Sequence, residues 1–448
     1  VGSEMCIRDS SLVAIIFSVL LFTGCANESY QQAIPKESTA LVSFDANQMS
    51  GINNKTLLRT ILKMKNLDES GIDFTQKIYI FTSPDGNLGI CAKVDNADKI
   101  STMLQRMGSE SVSFRDAFFS TIRDSWMVGY NKQSLLIMGP IPLTKQEETK
   151  ATIAKYLQQD EEESILASPI YQVLDSLDSP MTLVAQAQAL PDKIIAPLML
   201  GAPKDASTTD VLIAAKMKVE KGCWYVEGSP FSWNKRINQT IQESKKIYRP
   251  IQGKYIEAMP DTALFGMFVN VDGKQFLPIL QNNKSLQVLL TGINQAIDLD
   301  NIIRSVNGDM SVVIPQYEQQ NISISMAAQL AHSKWLADVD YWKQSVPAGG
   351  KLTDWNKHAF VYTNGKTRFF FGVTDNLQFY SGATPQEASN SIKASNHPFE
   401  SSILHQIKGE KMVMIINVRD YRNERLSMIT DLLRPVFGNI HTLVYKLN

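Results

Sequence analysis

An internal duplication constrains this chain more than any other feature. The stretch "YQQAIPKESTALVSF" at 30–44 returns as "YIEAMPDTALFGMF" at 255–268. Both read Tyr-x-x-Ala-apolar-Pro, a short polar turn, Thr-Ala-Leu and an apolar strand. Later blocks keep the same order. "QKIYIFTSPDGNLGICAKV" (76–94) is two apolar runs around a Pro-Asp-Gly turn, and its counterpart "GDMSVVIPQYEQQNISISMAAQL" (308–330) is two runs around a polar loop. Such runs around a turn signal read as hairpins. "SWMVGYNKQSLLIMGP" (125–140) matches "RFFFGVTDNLQFYSG" (368–382), and each leads into a helix start, Thr144-Lys145-Gln146-Glu147 and Thr384-Pro385-Gln386-Glu387. Both have the capping-box spacing, with proline at the favoured first helical position in the second. "SPIYQVLDSL" pairs with "HPFESSILHQI", "MTLVAQAQAL" with "MVMIINVRDY", and "DKIIAPLMLG" with "LSMITDLLRPVFG".

The copies occupy 34–233 and 255–448. Each alternates short strands of period two with amphipathic helices, as in Leu88, Ile90, Ala92 and Val94 on one strand face and Leu57-Leu58-Ile61-Leu62 with Met64 on a helix. Hairpins with period-two strands argue antiparallel sheets with one covered face. The expected fold class is α+β, two tandem copies of an antiparallel-sheet unit with helices packed on one face. No Gly-rich strand-to-helix turn is present, which argues against a dinucleotide-binding sheet. Copy 1 continues through "TTDVLIAAKMKVEKGCWYVEGSPFSW", two strands and a turn, whereas copy 2 stops at "NIHTLVYKLN" within the first of these. An unpaired strand edge is an aggregation hazard, so the expectation is a C-terminus short of roughly one hairpin partner or more. Between the copies, 234–254 places Ile237, Ile241 and Tyr248 near one helical face and carries Lys235, Arg236, Lys245, Lys246 and Arg249. It reads as a solvated connecting helix ended by Pro250, with contact to lipid headgroups as the sharper alternative.

The other end of the chain carries an address. Leu12 to Phe22 is apolar apart from Ser18 and stops at Thr23-Gly24-Cys25. That run is shorter than the roughly 20 residues a membrane span needs and suits the apolar core of a secretory signal. A small-residue pair before cysteine resembles the lipobox of bacterial lipoproteins. The resemblance implies a lipidated Cys25 as the mature N-terminus, a signal at 11–25 and a tether at 26–33. Several acyl chains anchor stably where one does not. Residues 1–10, "VGSEMCIRDS", lack the positive leader a signal needs and resemble translated adapter sequence, so they are set aside as a non-native leader.

Few classes of chemistry are left open. Lys+Arg total 44 against 45 Asp+Glu, a balance with no electrostatic case for nucleic acid. HExxH, CxxC, GxSxG and Walker loops are all missing. The five histidines, His332, His358, His397, His405 and His441, all fall in copy 2. His397 and His405, eight apart on one expected helix, would stand about 12 Å apart, too far to share a metal. "DEEES" (160–164), "DLDN" (298–301) and "DVDY" (338–341) read as solvated charges rather than ion sites. Cys91 and Cys223 read as small buried hydrophobes, with a disulfide as the alternative that export would permit. No cofactor, metal site or catalytic residue is expected. Trp335, Tyr341, Trp342 and Trp355 cluster within 21 residues. The core is the first home for such rings, and a binding surface the alternative.

The lipobox, the "AIPKESTALVSFD" opening after a short tether and the duplicated body together resemble a family of uncharacterised Bacteroidetes lipoproteins classed as a domain of unknown function. The resemblance covers 11–448 and implies no activity. The expectation is a lipid-anchored protein of the cell envelope, on the outer membrane, with a non-enzymatic binding or assembly role and an envelope protein or glycan as partner. The alternatives are an exported hydrolase with a site between the copies, and a polysaccharide-binding surface lipoprotein using Trp335 to Trp355.

Overall fold

The computed structural model describes residues 29–48, 55, 59, 69–122, 125–190, 195, 198–283, 293–294, 296–315, 317–318, 321–322, 324–365, 367–399, 401–418 and 439–448. The leader, the signal, Cys25, all but Arg59 of the helix expected around Leu57 to Met64 and all of 426–438 lie outside these residues.

Among the described residues ten strands build the first part: β1 Ala40–Phe44, β2 Ile78–Thr82, β3 Leu88–Lys93, β4 Val112–Phe114, β5 Ala117–Ile122, β6 Trp126–Tyr130, β7 Ser134–Gly139, β8 Met181–Gln186, β9 Leu212–Glu220 and β10 Cys223–Phe231. Eleven follow: β11 Phe265–Asp272, β12 Val306–Ile314, β13 Tyr317–Glu318, β14 Asn321–Ile322, β15 Ser325–Leu330, β16 Gly350–Asn356, β17 Ala359–Asn364, β18 Thr367–Val373, β19 Gln378–Gly382, β20 Met412–Asn417 and β21 Thr442–Leu447. All but β13 and β14 join one sheet. Its first part runs β4-β5-β6-β7-β3-β2-β1-β8-β9-β10. Its second runs β16-β17-β18-β19-β15-β12-β11-β20-β21. The two meet where β10 lies parallel to β21, Cys223 against Thr442 through Gly228 against Leu447. Every other pairing described is antiparallel.

β21 therefore has a partner on each side, β10 and β20. The β2–β3 turn forms at Pro84-Asp85-Gly86, where Gly86 takes φ +81° and donates its N–H to the Ser83 carbonyl at 2.9 Å. Only glycine adopts that conformation freely.

Helices cover both sheet faces, not one. On one face lie α1 Ala97–Arg106, α5 Gly273–Asn282, α6 Leu299–Arg304 and α7 Val339–Ser345. They pack Ile100, Phe276, Ile302 and Trp342 into a core that crosses both parts and includes Ile90, Val269 and Met414. The other face is covered by α2 Gln146–Gln158 and α3 Pro169–Asp175 over the first part, with Ile153 and Ile170 on Cys91 and Leu136. There α9 Ser401–Leu404 and the turn after it set Ile403 and Ile407 on Tyr225 and Ile415. The reason is legible in the strands. "SLLIMG" and "MVMIIN" are unbroken apolar runs, and all six residues of each are buried. Such runs belong to strands covered on both sides.

The connecting segment forms α4 Lys235–Lys245, with the Asn234 side chain accepting from Arg236 N and Ile237 N at its start. Ile237, Ile241 and Tyr248 are buried. Of the two expected capping boxes, one forms. Thr384 Oγ1 accepts from Glu387 N at 3.1 Å at the start of α8 Pro385–Asn390, while Glu387 Oε2 accepts from Ala383 N at 2.9 Å. Thr144 instead lies inside a short 3-10 turn, Leu143–Lys145, and α2 begins beyond it with Lys145 at the N-cap and no side-chain cap.

Candidate functional site

Beyond α4 the chain runs back over the ends of β11, β12 and β15, and a pocket of about 700 Å³ opens beneath it. Arg249 fixes the crossing by donating its backbone N–H to the Asn270 carbonyl at 2.8 Å. β12 bulges between Val306 and Met310. Gly308 in this bulge takes φ +148°, and a Cβ there would stand 3.0 Å from Gln329 Cβ. A side chain at 308 would strain the backbone and press on Gln329, so glycine keeps β12 and β15 close at the pocket wall.

Asp309 follows and is 4% exposed. Its Oδ1 accepts from Gln252 N at 2.9 Å, and its Oδ2 from Gly253 N at 2.7 Å and Lys254 N at 2.8 Å. One carboxylate thus ties down three consecutive amides of the crossing segment, the charge-assisted arrangement that holds a buried carboxylate. Asn270, 3% exposed, stands opposite it on β11. Its Nδ2 donates to the Pro250 carbonyl at 2.9 Å, and its Oδ1 is buried without a partner. Turning the amide over would set two oxygens against each other, so the carbonyl of Pro250 fixes which atom faces inward.

Two cations stand at the mouth. Arg249 donates from Nη1 to Asn307 Oδ1 at 2.9 Å and from Nη2 to the Val271 carbonyl at 2.6 Å. Lys254 donates from Nζ to Gln329 Oε1, with its ammonium 5.9 Å from the centroid of the Tyr255 ring. Burial, aided by the negative Asp309, pushes the Tyr255 phenol well above its ordinary range. Because both carboxylate oxygens are engaged by the backbone, the pocket offers positive charge to a guest rather than a free base.

None of these residues stood out in the sequence. Arg249 and Lys254 read as part of a solvated basic segment, and Asn270 and Asp309 are single polar residues at strand ends. The available signal was a Gly-Asp pair breaking an otherwise apolar strand.

The residues that did stand out fall elsewhere. Trp335 is 1% exposed and Trp342 5%. They stack with centroids 6.0 Å apart and planes 8° apart, and Phe360, Phe371 and Phe379 surround Trp335. They are core and supply no binding surface. Trp355 is half-buried, edge-on to Phe370 at 5.6 Å. Tyr341 alone is open, 69% exposed. Residues 335, 339 and 342 share the helical spacing that faces the core, and 341 is out of phase with it. The structure does not bring the four together.

Where the two parts of the sheet join, polar groups from both meet. Lys446 of β21 is buried with Nζ 3.2 Å from Glu410 Oε1, 3.4 Å from Gln406 Oε1 and 3.6 Å from Glu227 Oε1. The lysine sits between two carboxylates and offsets part of their charge. Burial first, then neighbouring Cys223, pushes the Tyr225 phenol beside them up to about 12. His397 and His405 do not share a helix, since α9 spans only Ser401–Leu404. Among the described residues no three His, Cys, Asp or Glu side chains gather as metal ligands. Cys91 and Cys223 are buried and not bonded to each other.

Comparison with solved structures finds crystal forms of TP0453. Form IV is 10% identical, covers 42% of this chain and 70% of that one, and superimposes with a TM-score of 0.26. Form III is 6% identical, covers 82% and 99%, and gives 0.25. Overlap this loose carries no argument about fold or activity. No curated protein matches the chain. A family does match, over residues 28–443, and on that extent the chain belongs to it: the family is described as Domain of unknown function (DUF4836).

Proposed function

We propose that this protein is a lipid-anchored, non-enzymatic component of the cell envelope, built from two copies of one α+β unit, that binds a small polar ligand in the pocket between Arg249 and Asp309. The anchor would be Cys25 and the membrane the outer one, as in Bacteroidetes lipoproteins with the same lipobox pattern. The observation that carries the binding role is the state of Asp309. Both its oxygens are held by backbone amides, so the acid in the pocket shapes the site instead of working as a base. What remains for a guest, two cations and the unpartnered Asn270 Oδ1, is recognition chemistry.

Support for two copies comes from matched landmarks. Tyr30, Ala33, Pro35 and Ala40 keep the same spacing as Tyr255, Ala258, Pro260 and Phe265. Both tyrosines are buried, and each begins or precedes a 3-10 turn ending at the alanine. Each proline forms a lone bridge to the segment before a helix, Pro35 with Ser164 and Pro260 with Pro398. β1 and β11 start at the fourth landmark and lie between β2 and β8 in one case and between β12 and β20 in the other. Asp45 and Asn270 follow at equal spacing, and each has a buried side-chain oxygen without a partner.

Two measurements test the reading. Expressed with its own signal, the full chain should incorporate labelled palmitate, and Cys25→Ser should not; equal labelling of both defeats the anchor. Titration of the detergent-solubilised full chain with small polar solutes, followed by amide chemical shifts, should perturb Gly308 and Asn270 first. Shifts confined to other regions would remove the pocket from consideration.

A further inference from the structure

The pocket's groups specify more than polarity. Arg249 and Lys254 bring two positive charges to its mouth, and neither has an acidic partner among the described residues. Asp309, the acid in the lining, is 4% exposed and directs its oxygens to Gln252, Gly253 and Lys254 amides. Of the five N–H donors of a guanidinium, Arg249 uses two, on Asn307 and Val271. Donors and positive charge therefore face the space above Asn270 and call for an anionic acceptor.

Asn270 asks for the opposite. Its Oδ1 is an acceptor without a partner, held in place because Nδ2 is bound to Pro250. A buried polar atom without a partner destabilises its site, so a guest that supplies a donor there gains accordingly. An ammonium donor would be repelled by Arg249 and Lys254. A hydroxyl would not. A ligand that meets both demands carries an anionic group at one end and hydroxyls at the other. A space of about 700 Å³ lies within the usual range for small-molecule sites.

From this we infer that the pocket takes a hydroxylated small-molecule anion, an acidic sugar, with its carboxylate or phosphate against Arg249 and Lys254 and a hydroxyl on Asn270 Oδ1. The inference rests on the pocket being the binding site proposed above. Carboxylate and phosphate present the same anionic oxygens to the two cations, and the choice between them is one for measurement.

Calorimetric titration of the full chain in detergent with glucuronate, glucose 6-phosphate, glucose and inorganic phosphate separates the cases. The expected result is binding of one or both acidic sugars, with glucose at least about tenfold weaker and the affinity falling as ionic strength rises. Lys254→Gln, at an exposed position, should weaken the acidic sugar by about tenfold with an unchanged melting temperature. Glucose binding as tightly as glucuronate overturns the requirement for an anion and leaves the pocket as a site. Inorganic phosphate binding as tightly as glucose 6-phosphate overturns the role of the hydroxyl. If no probe binds, both this inference and the pocket's binding role fail.

Discussion

Asn270 and Asp309 stand opposite each other on adjacent antiparallel strands and hold the same incoming segment, one by the carbonyl of Pro250 and the other by the amides of residues 252 to 254. The pocket exists because these two side chains pin the chain across the sheet end.

Asp309→Ala should lower unfolding free energy by ~2–4 kcal/mol, since it leaves three amides without their acceptor. Asp309→Asn keeps one acceptor oxygen and should lose less. Urea midpoints for the two variants check the order, and equal losses would mean that the one oxygen Asn retains contributes nothing.

Trp335→Ala should cost ~3–5 kcal/mol by opening a cavity among Phe360, Phe371 and Phe379. Tyr341→Ala, one residue from Trp342 but 69% exposed, should change stability by less than ~0.5 kcal/mol. Thermal denaturation of both compares core with surface directly.

Lys446→Ala removes the cation between Glu410 and Glu227 and leaves their charges together at the β10–β21 joint. A loss of ~1–3 kcal/mol is expected, smaller than for a fully buried pair because Glu227 reaches solvent. Lys446→Met with Glu410→Gln should recover most of it. Chemical denaturation of the single and double variants measures the recovery.

High pH should unfold the protein. Burial raises the phenols of Tyr30, Tyr79, Tyr248 and Tyr445 well above their ordinary range, and pushes Tyr156 up to about 12. The folded protein keeps these protons where the unfolded chain, with phenols near ~10, has released them. Their contribution is therefore complete below pH ~10 and is lost as pH rises through the folded values. Absorbance of phenolate should show an early phase from exposed tyrosines and a later one coincident with loss of circular dichroism.

Thiol reagents should leave Cys91 and Cys223 untouched in the native protein and modify both in guanidinium. Burial raises the Cys91 thiol well above its ordinary range, so little thiolate is present to react. Fast native modification of either would contradict their burial.

Much of the architecture could be read from residues, and the exceptions have physical causes. Strand pairs, the Pro84-Asp85-Gly86 turn and the Thr384 cap follow from local chemistry. The covering of both faces was written in "SLLIMG" and "MVMIIN" but masked by the alternation of "LGICAKV", where Cys91 and Ile90 enter different cores. The shared word Thr-Ala-Leu misleads in detail. Ala40 opens β1, whereas Ala263 precedes β11, which starts at Phe265. Tryptophans drew attention because they are rare, but rarity carries no information about the direction a ring points. The pocket was illegible because its parts, Arg249, Asn270, Asp309 and Gln329, are ordinary residues that only the sheet brings together.

The parallel joint between β10 and β21 has a consequence for how the molecule is born. Its two strands are separated by roughly 200 residues, and contacts of such long range form late. When a chain emerges N-terminus first, the first ten strands can assemble while β10 still shows bare N–H and C=O groups to its surroundings. That edge waits for β21 to be delivered. Any delay in delivery leaves a ready template for a strand from another molecule, so the yield of folded protein should depend on how crowded the nascent chains are.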